Sequence, residues 1–136
     1  MRFKLIVVVL LLMLLAFGAG FLPNEIANRR LTKTLQTATL DLRLANLHRQ
    51  LGVASHEAQR NNFGVAADAA RVFFDGCRTL VTEYDFADQP RTKGALAAYA
   101  TQGDMILGQL ANADPAAKER LASLYLTMNG VLARRQ

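Results

Sequence analysis

Apolar residues along this chain follow two different regimes. From Leu5 to Leu22 (LIVVVLLLMLLAFGAGFL) they run on with no charge and no strong polar group. As a helix that run spans about 27 Å, close to the roughly 30 Å hydrocarbon core of a bilayer. After Pro23 the apolar positions separate and recur at helical spacing, with few breakers between about 25 and 60. Leu31, Leu35, Ala38, Leu42 and Ala45 recur in steps of four and three, and so do Leu40, Leu44, Leu47, Leu51, Ala54 and Ala58. Both are coiled-coil-type periods. The sets are offset by two residues, about 200° around a helix of 3.6 residues per turn. One helix therefore changes its buried face midway, which predicts two different partners along its length.

Arg60-Asn61-Asn62-Phe63-Gly64 is the turn signal that ends this helix. Asn and Gly tolerate positive φ, and Phe63 is placed to plug the base of a helical hairpin. A second helix, about 65 to 86, carries Ala66, Ala69 and Ala70 near the turn and Phe73, Phe74, Cys77, Leu80, Val81 and Tyr84 beyond it. Small residues allow close approach to the first helix, and the large ones fill a wider space. Asp85 to Gln89 closes it, with Pro90 suited to the first turn of a third helix, about 91 to 111, presenting Leu96, Tyr99, Gly103, Ile106 and Leu110. Asp114-Pro115 reads as N-cap and first helical position of a fourth, from 115 to about 133, with Ala117, Leu121, Leu124, Met128 and Val131 inward.

The predicted fold is all-α: an N-terminal transmembrane helix continuing into a long helix that packs in a small bundle of about four helices after the anchor. Residues 1–23 form the anchor, 24–45 a helical stalk and 46–136 the bundle domain. A cleavable signal peptide is the competing reading of the first segment, since Ala16-Phe17-Gly18 offers small residues at a peptidase spacing. The apolar run exceeds the usual signal length of 7–15 residues, which favours an uncleaved anchor. By raw count the basic residues on the two flanks are nearly balanced, so the positive-inside rule discriminates little. Arg2 and Lys4 lie nearer the segment than Arg29, Arg30 and Lys33, however, and that distance and the signal-like layout favour the short tail in the cytoplasm. The expected location is the inner membrane as a single-pass protein, its body periplasmic or otherwise extracytoplasmic.

The stretch Asn62-Phe63-Gly64-Val65-Ala66 resembles the turn of a tetratricopeptide-type hairpin, in which an aromatic and an Ala three residues later lock two helices. No second copy of the unit occurs in the chain. More broadly, the order of anchor, long helix, NNFG turn, FFD-containing helix and final DPAAKERL helix resembles uncharacterised single-pass, membrane-anchored helical proteins of bacteria. That resemblance implies architecture and location and carries no activity.

Charge changes this picture little. The net charge is +5, part of it from Arg2 and Lys4 on the membrane flank, and the remainder is too evenly spread to argue for nucleic acid. Cys77, the single cysteine, has no partner for an internal disulfide and sits in an apolar context, so it reads as a small buried hydrophobe. His48 and His56 are eight residues apart on one helix, about 12 Å along its axis, too far to share a metal. Asp68, Arg71 and Asp75 form a solvated charge ladder, and Glu83, Asp85 and Asp88 a solvated loop. Gly94, Gly103 and Gly108 lack the spacing of a phosphate-cradling loop. Neither a catalytic constellation nor a cofactor or metal site is expected.

Two functional readings remain. In the first, a membrane-tethered interaction or scaffold protein binds another protein, or a second copy of itself, through Leu31, Leu35 and Leu42. In the second, a sensory bundle holds a small apolar molecule between its helices, Gly103 and the Phe73–Phe74 pair leaving and lining the space. An exposed leucine stripe favours the first, and a buried pocket around Gly103 the second.

Overall fold

The structure, a computed structural model, describes residues 2–134; before position 27 the side chains described are those of residues 6–9 and 13. Four helices follow one another: α1 (Arg2–Gln59), α2 (Phe63–Glu83), α3 (Pro90–Ala111) and α4 (Ala116–Ala133). Among the described residues there is no strand. No helix among them is long and apolar enough to cross a membrane. The expected anchor, from Leu5 to Leu22, lies largely outside the described side chains. The chain divides into two compact units, residues 1–42 and residues 43–136.

The second unit is a bundle of the end of α1 with α2, α3 and α4. Leu44, Leu47, Leu51, Ala54 and Ala58 of α1 are buried, with Ala66, Ala69, Ala70, Phe73, Phe74, Cys77 and Leu80 of α2. Leu96, Tyr99, Ile106 and Leu110 of α3 and Ala117, Leu121, Leu124 and Met128 of α4 complete the core. Glycine lets two of the helix crossings close. A Cβ added at Gly76 would collide with the Leu47 side chain, and one at Gly103 would lie 3.0 Å from Phe74 Cγ. Phe73 and Phe74 meet edge to face with ring centres 5.1 Å apart, a favoured aromatic geometry.

The α1–α2 and α3–α4 turns, two of the three connections, share one motif. The amides of Asn61 and Asn62 donate to the carbonyls of Ala58 and Glu57 at 3.0 and 2.9 Å, and those of Ala113 and Asp114 to Leu110 and Gln109 at 3.1 and 2.9 Å. This is the Schellman pairing, which needs one left-handed residue. That residue is Asn61 (φ 63) in the first turn and Ala113 (φ 51) in the second. Gly64 is not the turn residue. It stands in the first turn of α2 with helical φ, because α2 begins at Phe63 rather than near 65.

α2 also stops at Glu83, three residues before the periodicity suggests. Tyr84 turns to extended backbone (φ −98, ψ 137), and this swings Phe86 into the core, where it is buried and packs edge-on to Tyr84 at 4.9 Å. Burial of an aromatic ring outweighs one more turn of helix. α4 begins at Ala116, one residue later than expected, with Pro115 rather than Asp114 at the cap position; Asp114 Oδ1 accepts the Ala116 amide at 2.9 Å.

Candidate interaction surface

On α1, every described side chain from 27 to 39 is exposed. Leu31, Leu35 and Leu42 are 59, 59 and 73% exposed, whereas Leu40 is fully buried. The three leucines share one side of the helix, with the exposed Ala38 between them. A leucine singly exposed is ordinary; a row of them at heptad spacing is a coherent apolar strip. Thr32, Thr34 and Thr37 fold their hydroxyls back to the carbonyls of Asn28, Arg30 and Lys33 at 2.9, 2.9 and 3.0 Å. Their donors are thus satisfied within the helix, which lowers the cost of covering Thr32 and Thr34 beside the strip.

Of the other sequence-selected residues, Asn62 caps α2 with its backbone and donates its side-chain amide to Glu57 Oε2 at 2.9 Å. Phe63 is half-buried rather than a complete plug, with Lys118 Nζ 5.6 Å from its ring centre. Lys118 also donates to Asn61 Oδ1 at 2.6 Å, tying the turn to α4. Gly64 is exposed, with open space where a Cβ would stand.

His48 and His56 part company. His48 stacks on Tyr125 at 4.7 Å and hydrogen-bonds Asn129 Oδ1, joining α1 to α4, while His56 is exposed. Gly52 accommodates the edge of the same Tyr125 ring. His48, Gly52, His56, Glu57 and Tyr125 line part of an open groove of about 660 Å³. Among the described residues no three of His, Cys, Asp or Glu converge to hold a metal ion. The role of His48 had no sequence signal, since its partners lie 77 and 81 positions away.

The charge ladder on α2 differs from its expected form. Arg71 reaches Asp68 at 3.5 Å, but Asp75 is met by Arg78 at 2.9 Å, and Arg78 bridges on to Asp104 of α3 at 2.8 Å. These are exposed pairs of small energetic weight that help set the register of α2 on α3. The space beside Gly103 is occupied by Phe74 and Arg78. Cys77 is fully buried, and burial pushes its thiol up to about 12 against the opposing charge of Arg78. That environment opposes thiolate formation.

Comparison with family models, with curated proteins and with solved structures finds no match to the chain.

Proposed function

We propose that this protein is a membrane-tethered interaction or scaffold protein, its bundle displayed on the extracytoplasmic side and its Leu31–Leu42 strip the contact surface. One observation carries the reading: three leucines at heptad spacing stand 59 to 73% exposed on a helix whose other apolar set is buried. Each leucine taken out of water contributes roughly 1.5–3 kcal/mol when fully covered. The tether is supported by the uncharged run from Leu5 to Leu22 and by Ile6, Val7, Val8 and Val9, consecutive apolar residues that are all exposed. Four consecutive residues point to all sides of a helix, so no single protein face would cover them, whereas lipid does.

The test is in two parts. After alkaline and high-salt washing of membranes, the protein stays in the pellet, because a spanning helix is not held by charge. A soluble form beginning near Ala19 would overturn the tether and establish a cleaved signal peptide. In the same membranes, a Leu35→Cys variant reacts with a membrane-impermeant maleimide much more slowly than Lys33→Cys. Equal rates would mean that the strip is bare and the contact surface lies elsewhere.

A further inference from the structure

The chemistry around the strip selects among possible neighbours. On the heptad set by Leu31, Leu35, Ala38 and Leu42, positions 28, 35 and 42 are a and positions 31 and 38 are d. Arg29, Arg30 and Lys33 then fall at b, c and f, on the side away from the strip. The e and g positions at 32, 34 and 39 are all threonine, and Asp41 at g faces an e position rather than its own equivalent in a parallel pair. A heterologous coiled-coil partner is normally chosen by charges at e and g. Flanks that are threonine apart from Asp41, with the positive residues turned outward, are instead compatible with an identical chain, which brings the same charges to the same places.

Two further features agree. Asn28, exposed at an a position, would meet its own equivalent in a parallel in-register pair, where two side-chain amides hydrogen-bond each other; against a purely apolar groove it would be left unsatisfied. Ala38 at d provides the small residue that lets two backbones approach, and Thr32 and Thr34, already bonded to the carbonyls of Asn28 and Arg30, bring no unmet donor to the seam. We infer that the Leu31–Leu42 face binds a second copy of this chain in parallel register, with Asn28, Leu31, Leu35, Ala38 and Leu42 each against its equivalent. The inference rests on the reading of this face as a contact surface, and a common membrane tether would enforce the parallel sense and raise the local concentration.

Oxidative cross-linking of the full-length protein in its own membranes tests it. Single cysteines replace Leu31, Leu35, Ala38 and Leu42 on the strip, and Lys33 and Gln36 off it; the native Cys77 is buried and serves as the silent background. Copper phenanthroline should give disulfide-linked dimers at the four strip positions, several-fold above the two controls, and the Leu35→Lys, Leu42→Lys double variant should remove the cross-link at position 31. Equal yields at all six positions overturn the register. No cross-link at the strip, with the cysteines still shielded from maleimide, overturns the second copy while leaving a contact surface filled by another protein. No cross-link with labelling as fast as Lys33→Cys overturns both. All six sites are exposed and none lies in the bundle core, so unchanged inertness of Cys77 reports that each variant is folded.

Discussion

Cys77 and Tyr99 show how burial converts into measurable stability. The thiol has an ordinary value of 9.0 and is raised to about 12 by burial, so above pH 9 the unfolded chain releases a proton that the folded chain retains. Stability therefore falls as pH rises, by up to about 1.4 kcal/mol per unit between about 9 and 12, and is indifferent to this group below that window. Cys77→Ala should flatten the decline in urea midpoints measured from pH 8.5 to 10.5. Tyr99, also raised by burial first and by Cys77 second, adds to the same alkaline loss. Its buried hydroxyl has no hydrogen-bond partner among the described residues, so Tyr99→Phe removes a desolvated group and should raise stability by about 1 kcal/mol. A lower thermal midpoint in that variant would show that the hydroxyl is satisfied. The burial of Cys77 was legible from its apolar context; the orphaned hydroxyl was not, because sequence places a tyrosine on a stripe without saying what meets its tip.

At the level of elements, helix number and inward faces were readable from periodicity, while the breaks were read through the wrong residues. NNFG announces a turn, but its left-handed residue is Asn61 and its glycine is helical; in the second turn an alanine takes the same conformation. Two substitutions separate these roles. Gly64→Ala adds a Cβ to open space in a helix and should stabilise by about 0.5–1 kcal/mol. Ala113→Gly relieves a left-handed alanine and should be neutral or stabilising, where glycine elsewhere in these helices costs about 1 kcal/mol. Thermal midpoints of the two variants check both. Asp85 to Gln89 announced the end of α2, and Asp85 Oδ1 accepts the Ala87 amide there at 3.0 Å. The residue at which the helix stops is set by Phe86 finding the core, which has no local signal.

For the whole molecule, the division of α1 into an exposed strip and a buried set was visible as two offset periods, because a helix that serves two neighbours must carry two stripes. The structure places them apart: Leu44, Leu47 and Leu51 buried, Leu31, Leu35 and Leu42 exposed. Replacing Leu35 and Leu42 together by lysine should leave the unfolding midpoint of the bundle within about 0.5 kcal/mol of the parent, as for surface positions, while weakening whatever association the strip supports. A large loss of bundle stability would assign those leucines to the core. Partner identity has no counterpart in the pattern, since periodicity records that a face is apolar and says nothing of what lies against it.

The exposed stretch from 27 to 39 has one more consequence, in the exchange of its amide hydrogens. A helix of this length without packing is marginal in water, and the threonines at 32, 34, 37 and 39 lower its propensity further. Its order is inherited by propagation from turns that are already fixed, which avoids the cost of nucleation. Fixed only at the bundle end, the amides should exchange faster with each step from Leu40 back toward Ala27. Held also by a bilayer before Pro23, the profile should become a trough, slow at both ends and fastest near Lys33. A second copy clasped along the strip should fill that trough, so one exchange experiment on membranes and on the released body distinguishes a helix propped at one end, at both ends, or along its whole side.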